Sequence, residues 1–179
     1  MKPRPIPAEQ IPENPRKTVY PEPFAQQVQG RSKKKLGDHF GLVNFGVNLT
    51  RLEPGAVSAL LHWHSRQDEM IYVLEGQPTL MIGEDAWPLR PGDCFGVRAG
   101  TGVAAQVVNR SEATAVILEI GDRSAGDQVE YPNDDLKAEL DENGQWRFLH
   151  KDGRPYTSRD QEYPIQAAHL SADSRVVKT

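Results

Sequence analysis

Cysteine is nearly absent from this chain. Cys94 is the single cysteine among 179 residues, which excludes an internal disulfide framework and suits a reducing compartment. Long apolar runs are also missing. No segment approaches the roughly 20 residues of a membrane span, and no signal-peptide core follows Met1. The sequence therefore predicts a soluble, cytoplasmic protein that does not enter a membrane.

An excess of positive charge is missing as well. The formal net charge is −4, which argues against non-specific binding to nucleic acid or to anionic membranes. Neither end of the chain shows a helix-turn-helix pattern, which argues against a transcription factor.

Proline and charge divide the chain into three parts. Residues 1–38 hold half of the 14 prolines and a net charge of +4, whereas residues 122–162 carry a net charge of −5. Dense proline blocks helices and leaves an extended arm, which is either disordered or laid along another surface. We predict a proline-rich extended arm (1–38), a barrel (39–121) and an acidic, irregular C-terminal extension that packs on the barrel (122–179).

The middle part alternates short apolar segments with turns that contain Gly or Asp. The predicted strands are Val43–Leu52, Ala56–Trp63, Glu69–Leu74, Pro78–Ile82, Cys94–Val97, Ala104–Val108 and Ala115–Ile120. The tripeptide Gly83-Glu84-Asp85 lies between two of them and predicts a hairpin turn. Many short strands at regular spacing are typical of an all-β sandwich or barrel.

The extension contains two weaker local patterns. Leu136 and Leu140 are four residues apart, which predicts one or two helical turns over Asp134–Asp141. An apolar patch at residues 146–149 predicts one further strand on the barrel. No internal repeat is visible.

Two histidines and a glutamate form the most informative pattern. His62 and His64 are two residues apart on a predicted strand, so both imidazoles point to the same face. Glu69 opens the next strand and returns a carboxylate beside them. Two neutral imidazoles and a carboxylate are a typical ligand set for Fe, Mn, Ni, Zn or Cu. The sequence thus predicts a divalent transition-metal site with open coordination positions.

This stretch resembles the first motif of the cupin superfamily. That motif runs glycine, His-x-His, glutamate, glycine, and here Glu69 and Gly76 follow His64 at the family spacing. The departure is six residues, rather than five, between Gly55 and His62. The resemblance implies a double-stranded β-helix, a small jelly-roll barrel whose site lies inside one mouth. Later segments are similar to those of small single-domain bacterial cupins.

The second cupin motif is matched except for its histidine. Pro91-Gly92-Asp93 supplies the turn and Asn109 the final asparagine, but Ala105 stands where the resemblance implies the last histidine ligand. A two-His, one-carboxylate triad still holds iron in many oxygenases. Strict alternation points Gln106 away from the cavity, whereas Glu119 on the last strand is a candidate replacement ligand.

The same residues also have structural interpretations. The alternative to metal binding is a buried, metal-free cluster in which the two histidines and Glu69 satisfy one another's hydrogen-bonding groups. Trp63 and Tyr72 belong to the opposite face and predict outer packing or an interface, and Cys94 is interpreted as a small buried apolar residue.

Other polar residues are interpreted as surface. The basic run Arg31–Lys35 predicts a solvated loop, with contact to the acidic 122–162 segment as the alternative. Phosphate or nucleic acid is less favoured for this run, because no aromatic residue is interleaved and the total charge is negative. Asn109 predicts a turn-forming side chain. Three histidines without ligand spacing are interpreted as surface residues: His39, His150 and His169.

Three functions remain open. The first is a metal-dependent enzyme (dioxygenase, isomerase or lyase) acting on a small polar molecule, with no catalytic residue yet identified. The second is a metal-free module that binds or senses a sugar or organic acid, in which Ala105 makes room for the ligand. The third is an inert structural role. We also predict a homodimer in which residues 5–25 pack on the partner or on the outer sheet.

Overall fold

Short antiparallel β-strands build most of the fold. The computed structural model describes residues 4–15 and 18–156. The strands are β1 Arg31–Lys35, β2 Phe45–Leu52, β3 Trp63–His64, β4 Glu69–Glu75, β5 Thr79–Ile82, β6 Asp85–Pro88, β7 Cys94–Val97, β8 Ala105–Val108, β9 Ala115–Asp122, β10 Gln128–Tyr131, β11 Leu136–Leu140 and β12 Trp146–Leu149. The helical segments are a 3₁₀ turn at Ala8–Gln10, α1 Phe24–Gln27 and α2 Leu36–His39. The predicted all-β class is confirmed.

The described residues form three sheets, which enclose the hydrophobic core. Their strand orders are β1-β2-β9-β4-β7, β12-β11-β10-β3 and β6-β5-β8. One core cluster joins the five-stranded and three-stranded sheets, because Leu52, Val73, Leu80 and Val107 pack together and are at most 4% exposed. A barrel with its core between facing sheets results. No helix in the described residues is long and apolar enough to cross a membrane.

Two glycine-dependent turns fix the strand connections beside this core. The predicted hairpin is confirmed, since Ile82 pairs with Asp85 across the turn and Gly83 has a φ of +58°. Gly76 has a φ of +79°, and a Cβ there would lie 2.7 Å from the carbonyl oxygen of Thr114. Any other residue at position 76 would therefore separate β4 from β9 locally.

The N-terminal arm lies along its own chain. The backbone N–H of Asn14 donates to the Lys33 carbonyl at 2.8 Å, and Ile11 is 4% exposed. Further on, Phe24 is 1% exposed and packs with Leu136 of β11. The arm thus stabilises the edge of one sheet and covers another. Its helical segments are single turns, although the proline content predicted none.

The predicted helical turns over Asp134–Asp141 are wrong. Leu136–Leu140 forms β11 instead, and its backbone pairs with both β10 and β12. Leu136 and Ala138 alternate toward the core at 0% and 1% exposure. Long-range pairing therefore outweighs the four-residue spacing of the leucines. The further strand predicted at residues 146–149 is confirmed as β12.

Two other local predictions need correction. Most of the predicted strand Ala56–Trp63 is irregular: Val57 and His62 form isolated bridges to β8, and Trp63 belongs to β3. The basic run is not a loop but the edge strand β1, paired with β2 along all five residues. The division into arm, barrel and extension stays a prediction.

Candidate metal centre

His62, His64 and Glu69 meet inside the barrel, as the sequence predicts. His62 directly precedes β3, His64 ends that strand and Glu69 begins β4. The Nε2 atom of His62 lies 3.5 Å from Oε2 of Glu69, and Nε2 of His64 lies 3.4 Å from Oε1. One ligand atom from each residue falls within 4.8 Å of the others.

The remaining nitrogen of each imidazole is held by a hydrogen-bond acceptor. Nδ1 of His62 lies 2.7 Å from the Leu60 carbonyl oxygen, and Nδ1 of His64 lies 2.5 Å from Oδ2 of Asp127. A proton on Nδ1 satisfies each acceptor and leaves a lone pair on Nε2. Such contacts orient metal-ligating histidines and fix their tautomer. Both Nε2 atoms are thus directed at Glu69.

Asp127 is the residue of this site that the sequence analysis missed. Its side chain is fully buried, and Oδ1 accepts hydrogen bonds from the Arg66 N–H at 2.7 Å and from the Ser65 hydroxyl at 3.1 Å. These contacts compensate for burying its charge. Asp127 lies in the acidic segment among many similar residues, and no local pattern distinguishes it.

Electrostatics separate the two imidazoles. Burial lowers the pKa of His62 below its ordinary value. Burial also acts to lower the pKa of His64, but the hydrogen bonds to Asp127 and Glu69 outweigh it and raise that pKa to about 9. Burial acts to raise the pKa of Glu69, yet the hydrogen bond to His64 and the nearby cations lower it to about 2. The metal-free cluster is therefore an imidazolium–carboxylate pair beside a neutral imidazole.

The donor set fits a transition metal. Two imidazole nitrogens and a carboxylate match the ligands that Fe, Mn, Ni, Zn and Cu accept. Each imidazole has a supporting hydrogen bond, and the Glu69 carboxylate has an exposed edge. The Glu69 side chain remains 45% exposed, so the cluster faces open space. A metal bound by these three residues would keep coordination positions for a substrate.

The cluster forms part of the wall of a cavity of about 810 Å³. The lining also includes the basic side chains of β1, a strand of the same five-stranded sheet as Glu69: Arg31, Lys33 and Lys35. Aromatic rings also line the cavity, among them Tyr20 and Tyr131. The cavity therefore presents a metal-binding group at one place and cations at another.

Comparison with known proteins identifies the family. Residues 48–121 match the Cupin_2 family model, described as a cupin domain. A sugar phosphate isomerase of the cupin superfamily from Silicibacter pomeroyi is 38% identical, covers 87% of this chain and 98% of its own, and superposes with a TM-score of 0.80. The chain belongs to the cupin superfamily. This confirms the resemblance and the jelly-roll fold that it implies.

Other structures are similar to this cupin over shorter lengths. A protein named as a candidate sugar phosphate isomerase from Acidithiobacillus ferrooxidans is 35% identical, covering 71% of this chain and 80% of its own at a TM-score of 0.63. The polyketide cyclase RemF from Streptomyces resistomycificus is 18% identical, with 68% and 80% covered and a TM-score of 0.55, so it shows the fold alone. The comparison with curated proteins gave no match.

Ala105 leaves one side of the cupin site without a ligand. It forms an isolated antiparallel bridge with His62 and contributes to the cavity wall beside the cluster. Gln106 does not replace the missing imidazole, because its side-chain amide donates to the Ala59 carbonyl at 3.2 Å. The methyl group of Ala105 thus widens the cavity next to His62.

Glu119 faces the cavity, as one interpretation of the sequence anticipated, but it is not a member of the cluster. Its Oε2 accepts a hydrogen bond from the Thr50 hydroxyl at 2.6 Å and lies 2.6 Å from Nζ of Lys33. Among the described residues, the three side chains that lie close enough together to hold a metal ion are those of His62, His64 and Glu69. Glu119 belongs instead to the polar wall between the cluster and β1.

The opposite face of the cupin barrel differs from prediction at Cys94. Trp63 packs on an outer apolar cluster with Met81, and Tyr72 is 37% exposed, as expected for residues facing away from the site. Cys94 is exposed rather than buried. On the edge strand β7, Cys94 pairs with Tyr72 of β4, which faces outward. Paired residues on neighbouring strands share a face, so the Cys94 thiol also points outward.

The other histidines and Asn109 complete the comparison. His150 is buried rather than at the surface, and its Nδ1 lies 2.7 Å from Oδ2 of Asp135. His39 is exposed as predicted, and His169 lies outside the described residues. The Asn109 amide donates to the Leu52 and Ala113 carbonyls at 2.8 Å, which confirms its role in a turn.

Proposed function

We propose that this cupin is a metal-dependent isomerase that interconverts the aldose and ketose forms of a sugar phosphate. The observation that carries the proposal is the convergence of two Nε2 atoms and the Glu69 carboxylate on a large cavity whose lining also includes three cationic side chains of β1. Two solved relatives are named as sugar phosphate isomerases, which supports the same class of reaction.

His62, His64 and Glu69 would hold the ion. When bound, Fe, Mn, Ni, Zn or Cu supplies Lewis acidity that polarises a carbonyl group. Asp127 and the Leu60 carbonyl keep the imidazoles in the tautomer that such a site requires. The space beside Ala105 admits a substrate oxygen close to the cluster.

Glu119 is the proposed general base. Aldose–ketose interconversion moves one proton between neighbouring carbons and one between their oxygens, so a base must take the proton from one carbon and return it to the other. A carboxylate can serve as that base. Thr50 and Lys33 both contact Oε2 of Glu119, which leaves Oε1 to receive the proton. The same contacts hold the carboxylate in one orientation.

A metal-free binding module is the second candidate. The contacts among His64, Glu69 and Asp127 already satisfy much of the polar cluster without an ion, and Ala105 removes one family ligand. In that case the cavity would bind a sugar or an organic acid and perform no chemistry.

Metal content and isomerase activity separate these candidates. Protein purified without a polyhistidine tag should contain about one equivalent of a transition metal, and the His62→Ala/His64→Ala double variant should contain none. The wild type should interconvert aldose and ketose phosphates, whereas Glu119→Gln should keep the metal and lose most turnover. Absence of metal after incubation with Fe(II), Mn(II), Ni(II) and Zn(II) would favour the binding module.

We also propose a homodimer formed through the outer face of the five-stranded sheet. Met70, Tyr72 and Leu74 lie on this face of β4 at 37–41% exposure. Their partners on β9 are apolar, because Met70 pairs with Ile120 and Tyr72 with Leu118. An uncharged strip can meet its own copy across a two-fold axis without like-charge repulsion.

A cytoplasmic location likewise stays a proposal.

A further inference from the structure

Strand β1 divides the basic run into two faces. Lys33 and Lys35 pair with Thr50 and Asn48 of β2, and they line the cavity together with Arg31. The intervening Lys34 points outward, where its Nζ donates to the Glu9 carbonyl at 2.8 Å. Alternation therefore directs three cations, about 7 Å apart along the strand, into the cavity.

These three cations differ in how their charge is compensated. Nζ of Lys33 lies 2.6 Å from Oε2 of Glu119, and Nζ of Lys35 lies 3.5 Å from Oδ2 of Asp38. Among the described residues, Arg31 has no carboxylate within 4.0 Å. The charge of Glu119 acts on it only at longer range. Partly buried cations are normally paired with a carboxylate. Of these three cations, Arg31 is the exception among the described residues.

The guanidinium of Arg31 also uses few of its donors. Nη1 donates to the Ser58 carbonyl and Nη2 donates to the Thr18 hydroxyl at a long 3.4 Å, whereas the buried Nε has no partner within the part of the chain that the structure describes. The Tyr20 ring lies below it, 5.7 Å from the guanidinium carbon to the ring centroid. These contacts hold the group in place without neutralising it.

We propose that Arg31, assisted by Lys33, binds the phosphate monoester of the substrate. A planar guanidinium offers paired N–H donors that match two phosphate oxygens. Phosphate would supply the negative charge that no carboxylate among the described residues supplies at Arg31. This inference rests on the proposed isomerase function and assigns the residues that recognise its substrate.

The position of Lys33 relates this site to the candidate metal centre. Its Nζ lies 2.6 Å from Oε2 of Glu119, which pairs with Ile71 of β4, two residues from Glu69. Arg31 lies two residues before Lys33 on β1. A sugar phosphate anchored at Arg31 would extend past Lys33 and Glu119 toward the histidines. The phosphate then lies at one end of the cavity and the reacting carbons lie near Glu119.

The structure removes the two sequence arguments against phosphate. An aromatic ring does accompany the run, because the ring of Tyr20, from an earlier part of the arm, lies against Arg31. The negative total charge is not informative either, since the inward face of β1 is basic and locally enclosed. Local charge inside a cavity governs anion binding more than net charge does.

Isothermal titration of inorganic phosphate into the full-length protein tests the site. Wild type should bind phosphate, and Arg31→Gln should weaken binding by at least about tenfold, as expected for losing charge-assisted hydrogen bonds. Arg31→Lys keeps the charge but loses the fork and should give an intermediate affinity. Lys34→Gln, on the same strand but facing outward, should bind as wild type. Thermal unfolding checks that each variant is folded.

The outcomes separate this inference from the proposed function when metal content is measured on the same samples. Equal phosphate affinity in wild type, Arg31→Lys and Arg31→Gln would overturn the site, because phosphate would then be binding elsewhere, for example at the metal. Should Arg31→Gln fail to fold, wild-type affinity in Arg31→Lys would count against the proposal and a severalfold loss would support it.

A wild type that holds metal but binds no phosphate would overturn the phosphate site alone. Phosphate binding that depends on Arg31 in a protein without metal would support the site and overturn the metal-dependent isomerase. Acetate and sulfate titrations complete the test. Binding of acetate as tight as that of phosphate, with the same dependence on Arg31, would overturn the phosphate assignment.

Discussion

Nδ1 of His64 lies 2.5 Å from Oδ2 of Asp127, a residue 63 positions later in the chain. Asp127 is fully buried, and its other oxygen accepts a backbone hydrogen bond from Arg66. One carboxylate therefore orients an imidazole and also fixes the loop between β3 and β4. The candidate metal centre depends on a contact that joins the first cupin motif to the C-terminal extension.

Replacing Asp127 should weaken metal binding although it is not a ligand. Asp127→Asn removes the charge that supports His64, and losses of about 10- to 100-fold in metal affinity are typical for such partners. Competition with a chromophoric chelator measures the affinity. Asp135→Asn is the matched control, because Asp135 makes the same kind of contact with His150 away from the cluster. Unchanged affinity in Asp127→Asn would show that the contact is only structural.

The metal-free protein should show two separate histidine titrations. NMR should place the pKa of His64 near 9 and that of His62 below its ordinary value of 6.5. Because the folded-state pKa of His64 is raised, its contribution to stability is complete below pH 6.5 and disappears as pH rises through about 9. His62 acts in the opposite sense, since its lowered pKa costs stability as pH falls below 6.5.

Urea unfolding of the metal-free protein between pH 6.5 and 9.5 measures the His64 contribution. The free energy of unfolding should fall across this range, and Glu69→Gln should flatten the fall because one partner of the imidazolium loses its charge. A His64 resonance that titrates near 6.5 would contradict the pKa assignment.

Restoring a histidine at position 105 should strengthen the metal site. Ala105 faces His62 across an antiparallel bridge, where side chains lie about 5 Å apart. Ala105→His should therefore add a fourth ligand and tighten metal binding by about tenfold, or about 1.4 kcal/mol. Gln106→His is the control, since the amide of Gln106 is directed to Ala59 instead. Equal effects of both substitutions would argue against a specific ligand position.

The homodimer prediction can be tested on the outer sheet face. Light scattering after size exclusion should give twice the chain mass for wild type, and Tyr72→Glu should shift it toward the monomer by placing a charge in the apolar strip. Val103→Glu introduces the same charge at another exposed apolar residue, 39% exposed, and should leave the dimer intact. A wild-type monomer would remove the prediction.

Local pattern was enough to predict much of the fold. Residues that alternate along a strand share a face whatever the rest of the chain does, so His62 and His64 could be placed together, with Trp63 opposite. A short connection returned Glu69 beside them, and Gly83 marked a hairpin because the turn needs a positive φ. The cupin motifs rest on the same local geometry.

Contacts between distant segments decided the rest. Leu136–Leu140 became a strand because β10 and β12 offered it pairing on both sides, which helical spacing cannot reveal. Pairing with β2 made a basic run part of the cavity wall and left Arg31 beside Tyr20, with no carboxylate of residues 4–15 or 18–156 within 4.0 Å. Sequence determined which side chains share a face, since that periodicity is local. Tertiary structure decided which charges are paired, because their partners lie many residues away.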